Sequence, residues 1–414
     1  MLAEKRCRMA SDGESNSKIC KFILNMLYEY GDFPNLNYYL ILLSRKRGQL
    51  KATITAMIDL VKEWLPQVSD METKLKLFET LDSITSGKIF LENQRAEITF
   101  ALAKIKEGQG NISEAAKILQ EIEVETFGSL TRLQKVEYIL EQMRIHFLNE
   151  DYIRFFITSK KISEKTLEKD DFCQLKLKYY EFMIKYYLRE KSYFLIAEAF
   201  KRRLETLFAM EDPQWIQELE CLILFLLISP MDDERKAFME ETEKEGKKLK
   251  EIPLLAGFLR EFMSDNMIPW PPAPELAQYL ENHVTFKDDP LPGGKERIEA
   301  LRDRVIQHNV LIVSKFYTRI TLQRLAELVN STVDKLEEEV SIMVSRNALY
   351  AKINRPDGII KFGKRKEPED VLDEWSKNIA GLMDLVDQCS RLVQKERMIH
   401  EARAKQIELE NALS

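Results

Sequence analysis

The chain has 414 residues, 45% of them hydrophobic, with 62 Lys+Arg against 68 Asp+Glu and a net charge of −6. That length allows two or three domains, and the mild acidity argues against a dedicated nucleic-acid binder. Much charge (31%) with only 14 glycines suits a surface-rich helical architecture better than a β-rich enzyme.

Residues 1–16 are polar and read as a disordered leader. From 17 to 263 the pattern is helix, short polar turn, helix. First helices are expected near residues 17, 49, 91, 130, 170 and 213, the spacing of tetratricopeptide- and HEAT-like repeats. Such hairpins cannot bury their apolar faces alone and stack into a right-handed superhelix. The clearest is Glu92–Glu123: Ile98, Ala101, Leu102 and Ile105 line one helix, and Ala115, Ala116, Leu119 and Ile122 the other. Ile112, Tyr152 and Tyr193 each follow a polar turn, placed to staple the next helix. The aromatic residues of Phe172–Phe208 fall at helical spacing and read as core, not as a base-stacking platform. Cys221–Ile228 is an apolar run well short of the roughly 20 residues that a membrane span needs, so it is read as a buried helix.

Residues 264–295 hold six of the 13 prolines and form a Pro/Gly-rich junction, with a short helix at Glu275–Asn282. The stretch 296–366 then changes character. Arg297–Phe316 is an amphipathic helix and Tyr317–Thr321 a short strand. Thr321 caps a helix that ends at Asn330. Ser331 with Asp334 resembles a capping box for the next helix, whose buried face is Leu336, Val340, Met343 and Val344. Leu349–Ile353 and Ile359–Phe362 are strands joined by a turn at Asn354–Gly358. Helix, strand, helix-turn-helix and hairpin make a winged helix. Its second helix carries Asp334, Glu337, Glu338 and Glu339, an acidity that opposes phosphate. The wing is basic (Lys352, Arg355, Lys361, then Lys364-Arg365-Lys366), which leaves nucleic-acid binding as a minor alternative.

Beyond 366, Leu372, Trp375, Ile379, Leu382, Val386, Cys389 and Val393 recur three and four apart, as in the seam of a coiled-coil or bundle helix covering 367–414. Packing back on the chain's own repeats is the alternative.

Catalytic constellations are hard to find. His146, His283, His308 and His400 stand far apart, with no closely spaced pair to hold zinc. Gly358-Ile-Ile-Lys-Phe-Gly-Lys-Arg365 departs from a phosphate-binding loop at Arg365 and lies in a strand. The five cysteines lack Cys-x-x-Cys spacing and suit a reducing compartment. The reading is a protein without catalytic, cofactor or metal residues.

The strings Arg304-Val-Ile-Gln-His-Asn309, Lys315-Phe-Tyr-Thr-Arg-Ile-Thr321 and Asp357-Gly-Ile-Ile-Lys-Phe362 resemble the winged-helix half of a PCI domain. That module is shared by the proteasome lid, the COP9 signalosome and a translation initiation factor. Leu42-Leu-Ser-Arg-Lys-Arg47, Thr85-Ser-Gly-Lys-Ile-Phe90, Glu125-Thr-Phe-Gly-Ser129, Ile139-Leu-Glu-Gln-Met-Arg144, Leu175-Lys-Leu-Lys-Tyr-Tyr180 and Asp373-Glu-Trp-Ser376 carry the resemblance to the lid members over nearly the whole chain. It implies that the arm from about 193 belongs to the PCI domain. It also implies a non-catalytic scaffold in a hetero-oligomer of cytoplasm and nucleus, supporting ubiquitin-dependent degradation without nucleic acid or membrane. The implied partners are other PCI-domain lid subunits, the lid deubiquitinase, the ATPase ring and core-particle α-subunits. A signalosome subunit is the alternative. The partner-binding residues expected are Tyr350, Lys352, Ile359 and Lys361 on the wing, through an edge strand. On the tail they are Leu372, Trp375, Ile379, Leu382, Val386 and Val393.

Overall fold

The computed structural model describes residues 2–10, 12–68, 70–287, 293–363 and 368–413. It is mostly α. The helices are α1 Leu2–Met9, α2 Gly13–Glu29, α3 Phe33–Arg45, α4 Lys51–Trp64, α5 Met71–Thr85, α6 Glu92–Gly108, α7 Ile112–Gln120, α8 Arg132–Leu148, α9 Tyr152–Ser159, α10 Glu164–Leu167, α11 Cys173–Glu190, α12 Tyr193–Ala209 and α13 Trp215–Ile228. They continue as α14 Asp233–Lys244, α15 Gly246–Leu249, α16 Pro253–Met263, α17 Pro274–Asn282, α18 Gly294–Phe316, α19 Leu322–Val329, α20 Val333–Ser345 and α21 Pro368–Leu413. Three short strands, β1 Arg319–Thr321, β2 Ala351–Asn354 and β3 Ile359–Phe362, make one sheet.

Two compact units are present. The first holds the chain to Pro230 and Glu241–Ala256; the second holds Met231–Glu240, Gly257–Phe286 and the chain from Gly293. Some residues of the expected arm, Met231–Glu240 and 257–263, thus belong to the second unit. Phe262 there lies against the His308 ring, with centroids 5.3 Å apart.

In the first unit many helices pack on a sequence neighbour, as α6 does on α7 and α12 on α13, and alternate helices also pack on one another, as α2 does on α4, α3 on α5 and α8 on α11. Ala115, Ala116, Leu119 and Ile122 are buried, together with Ala96 and Ala103. The small alanines let α6 and α7 approach closely. Ile98 and Leu102 face the preceding core, with Ala101 and Ile105 partly buried against it. Helix α13 is buried on every side from Cys221 to Ile228. Among the described residues no helix is long and apolar enough to cross a membrane. Tyr179, Tyr180 and Phe200 are core, while Phe208 stays half exposed.

One turn recurs. Gly31, Gly110, Glu150, Lys191, Glu211, Asn330 and Asn347 have φ between 55° and 83°. In every case the next residue's N–H donates to the carbonyl five positions back, as Asp151 to His146 (3.0 Å), Ser192 to Tyr187 (3.1 Å) and Ser331 to Ala326 (3.0 Å). This is the Schellman closure of a helix C-terminus. Five of the seven left-handed positions are not glycine. That is how a chain so poor in glycine makes so many tight helix ends.

Within the polar leader expected at 1–16, Leu2–Met9 and the residues from Gly13 onward are helical instead. Glu4 is fully buried in α1, accepting from Arg8 Nε (3.0 Å) and Lys46 Nζ (2.8 Å). A buried carboxylate is tolerable only with such partners.

Candidate interaction surfaces

The winged helix is built largely as expected. Thr321 caps α19 by accepting from Arg324 N, and Asn330 ends the helix in the left-handed conformation. Ala351–Asn354 and Ile359–Phe362 flank a turn closed by Gly358 at φ 61°. The expected capping box does not form: Thr332, not Ser331, is the N-cap of α20, and it makes no side-chain cap bond. Leu336, Val340 and Met343 are buried, and Val344 partly so.

The string Arg304–Asn309 has a structural reason. Val305 and Ile306 are core, while the polar residues on either side of them make specific bonds. Arg304 donates to Gln307 Oε1 (2.5 Å), and Gln307 Nε2 donates to Glu339 Oε2 (2.6 Å). His308 Nε2 lies 3.2 Å from Asn266 O, and Asn309 binds Ile268. The acidity of α20 is partly spent internally. Glu339 is buried, Glu337 accepts from Arg355 (2.5 Å), and Lys335 pairs with Asp303 (2.6 Å).

The sheet order is β1-β3-β2, antiparallel throughout. Strand β3 is therefore paired on both sides, and its backbone has no free edge; β2 is an edge. This separates the expected wing residues. Tyr350 precedes the edge strand and Lys352 lies on it, whereas Ile359 and Lys361 sit on the central strand. Ile320, Ile360 and Ile353 are aligned across the strands on the core face. On the opposite face Arg319, Lys361 and Lys352 are aligned and all exposed. One step along that face, the Tyr350 ring covers Gly363. A Cβ there would come within 3.1 Å of the ring, and Gly363 N donates to Tyr350 O (3.1 Å).

Helix α21 runs for 46 residues. Leu372, Trp375, Ile379, Leu382, Val386 and Val393 are exposed, Ile379 least at 44% and Val393 most at 68%. Leu385, Leu392 and Met383 widen the stripe. A contiguous exposed apolar stripe of this size makes this helix face a candidate interaction surface. The basic residues Lys364, Arg365 and Lys366 lie outside the described residues.

One feature gave no sequence signal. A groove of about 590 Å³ lies among α6, α8 and α11, lined by Phe100, Leu130, Tyr138, Leu175 and Phe182. Arg144, also lining it, donates to both Glu107 oxygens (2.6 and 2.7 Å), which holds the Glu107 carboxyl below its ordinary pKa. Among the described residues, no group of His, Cys, Asp and Glu could hold a metal ion.

Three family models match the chain in order. Residues 1–212 match the PSMD12/CSN4 N-terminal family, 276–364 the PCI domain, and 369–401 the 26S proteasome regulatory subunit RPN5 C-terminal domain. The 26S proteasome non-ATPase regulatory subunit 12 of Dictyostelium discoideum is 38% identical over 402 residues, 97% of this chain and 89% of that one. This chain belongs to that family of PCI-domain subunits. The 26S proteasome regulatory subunit RPN5 of Saccharomyces cerevisiae is 34% identical, with 98% of this chain and 91% of that one covered. The COP9 signalosome complex subunit 4 of Dictyostelium discoideum is more distant, at 24% over 90% of this chain and 91% of that one. The PCI match contains the winged helix, and the RPN5 C-terminal match contains the whole exposed seam of α21.

Proposed function

We propose that this chain is a non-catalytic structural subunit of the 26S proteasome regulatory-particle lid, serving ubiquitin-dependent degradation by assembly alone. The helical repeats supply reach, the edge strand β2 adds to a neighbouring PCI subunit, and the apolar seam of α21 enters a bundle of like helices. Tyr350 and Lys352 are assigned to the edge contact through their backbone, whereas Ile359 and Lys361, on the central strand, meet a neighbour only through their side chains; Leu372, Trp375, Ile379, Leu382, Val386 and Val393 are assigned to the bundle contact. The neighbours are other PCI-domain lid subunits and the lid deubiquitinase, with the ATPase ring and core-particle α-subunits beyond, in cytoplasm and nucleus.

The observation that carries the reading is the seam of α21. It is exposed along its length, and it falls in the segment matched by a family named for a proteasome regulatory subunit. A 46-residue helix with one apolar stripe and charged remaining faces has its full stability only against other helices. The relatives at 34–38% identity are named for the proteasome, against 24% for the signalosome subunit, which favours the first assembly.

The test is affinity purification of the tagged chain from native lysate, with mass spectrometry of what accompanies it. Lid subunits with ATPases and core α-subunits are the expected result. Signalosome subunits in their place would move the function to that complex. A chain that purifies alone would overturn the scaffold reading.

A further inference from the structure

The solvent face of the winged-helix sheet holds an arrangement that its fold does not require. Arg319, Lys361 and Lys352 stand directly opposite one another on three adjacent strands. Like charges in directly opposed positions destabilise a sheet. Among the described residues none of the three pairs with an acid, although other cations of the same module do: Arg355 with Glu337, Arg324 with Glu327 and Lys335 with Asp303. Lys on an edge strand discourages unwanted strand pairing, but Lys361 is on the central strand, where there is no edge to protect. Beside the row lies Tyr350, 43% exposed and seated on Gly363, with Lys352 Nζ 6.0 Å from the ring centroid. Tyr317, 45% exposed, precedes β1 by two residues. Two half-exposed tyrosines beside three unpaired cations form a surface with both charge and apolar area.

We infer that this sheet face docks an acidic helix of a partner protein, its carboxylates one turn apart meeting Arg319, Lys361 and Lys352. Neighbouring strands lie roughly 4.8 Å apart, so the cations step across the sheet at that interval. Carboxylates at i, i+4 and i+7 or i+8 on a helix rise about 5.4 Å per turn and match that step. Alternate residues of an extended strand are spaced about 6.6 Å and fall out of register. A phosphate backbone is disfavoured by the net charge of −6. This surface is distinct from the edge of β2 and from the α21 seam, but it rests on the same reading that the chain works inside an assembly.

The experiment uses the complex purified through the tagged chain, compared with the free chain. Lysine acetylation is read at Lys352 and Lys361, and a zero-length carbodiimide cross-linker joins lysines to carboxylates in contact. Acetylation of both lysines should fall several-fold in the complex. Both should cross-link to Asp or Glu three, four or seven residues apart in one segment of one partner. In the Arg319→Ala, Lys352→Ala, Lys361→Ala chain, that partner should dissociate at lower salt. A complex in which both lysines remain fully reactive overturns the inference and leaves the scaffold reading standing. Protection removed by nuclease assigns the face to nucleic acid, cross-links to a second copy of this chain assign it to self-association, and either overturns the acidic-helix docking. A chain that purifies alone overturns both readings.

Discussion

Asn309 clamps the backbone of Ile268 at both of its polar groups. Its Oδ1 accepts from Ile268 N and its Nδ2 donates to Ile268 O, both at 2.8 Å, across 41 residues of sequence. Both residues are 2% exposed. One amide therefore ties the segment after α16 to the long helix α18, imitating a strand partner where no strand exists. In Asn309→Ala, two buried backbone groups lose their partners, at about 2–4 kcal/mol in total. Hydrogen exchange at the Ile268 amide should rise sharply, and the second unit should melt earlier. Unchanged protection at Ile268 would show that the clamp is dispensable.

Backbone handedness gives a pair of opposite predictions. At Gly358, φ is 61° and a Cβ would meet nothing within 4 Å, so the cost of Gly358→Val lies mainly in the backbone conformation, roughly 1–2 kcal/mol. Leu322 N donates to Gly358 O (2.8 Å), so strain there reaches the start of α19. Glu150 is exposed and has a similar φ of 57°, yet pays that conformational cost already. Glu150→Gly should stabilise the chain, by a few tenths to about 1 kcal/mol. Thermal melts of the two variants should move in opposite directions.

What the sequence revealed follows from the range of the interactions involved. Thr321 capping α19 and the stop at Asn330 are decided within a few residues, as is the seam of α21, so composition and spacing expose them. The sheet order is not local. It was the pairing of β3 with β1, through Ile320 and Ile360 from distant parts of the chain, that put Lys361 in the middle rather than on an edge. Glu4 looked like part of a polar tail because Lys46, which makes its burial tolerable, is 42 residues away. Glu339 read as one more surface acid on α20, and its burial depends on Gln307 of another helix. The groove beside Tyr138 needs three helices to exist at all.

Glu339 makes stability depend on pH. Burial raises its pKa above the ordinary 4.5, against the hydrogen bond from Gln307, which lowers it. The folded state therefore holds this proton more tightly than the unfolded state does. Its contribution is fully present below the ordinary value and is lost as pH rises through the folded pKa. Glu339→Gln keeps an acceptor for Gln307 and cannot ionise. Paired melts from acid to neutral pH should show the native chain losing stability relative to the Gln variant as pH rises. A flat or reversed difference would mean that Arg304 and Lys335 outweigh the burial.

The seam of α21 separates folding from assembly. Trp375 is 63% exposed and Leu382 61%, so the folded chain gains little from either side chain. Asp at both positions should change its stability by no more than about 0.5 kcal/mol per site, the ordinary range for surface positions. In a helix bundle the same two positions would be enclosed, and an unpaired carboxylate buried there costs several kcal/mol. The double variant Trp375→Asp, Leu382→Asp should thus match the native melting temperature and helix content and yet be missing from the assembled complex. If it is incorporated at the native level, the seam is not a bundle face. If it fails to fold alone, α21 already packs within its own chain, which is the alternative that the exposed seam argues against.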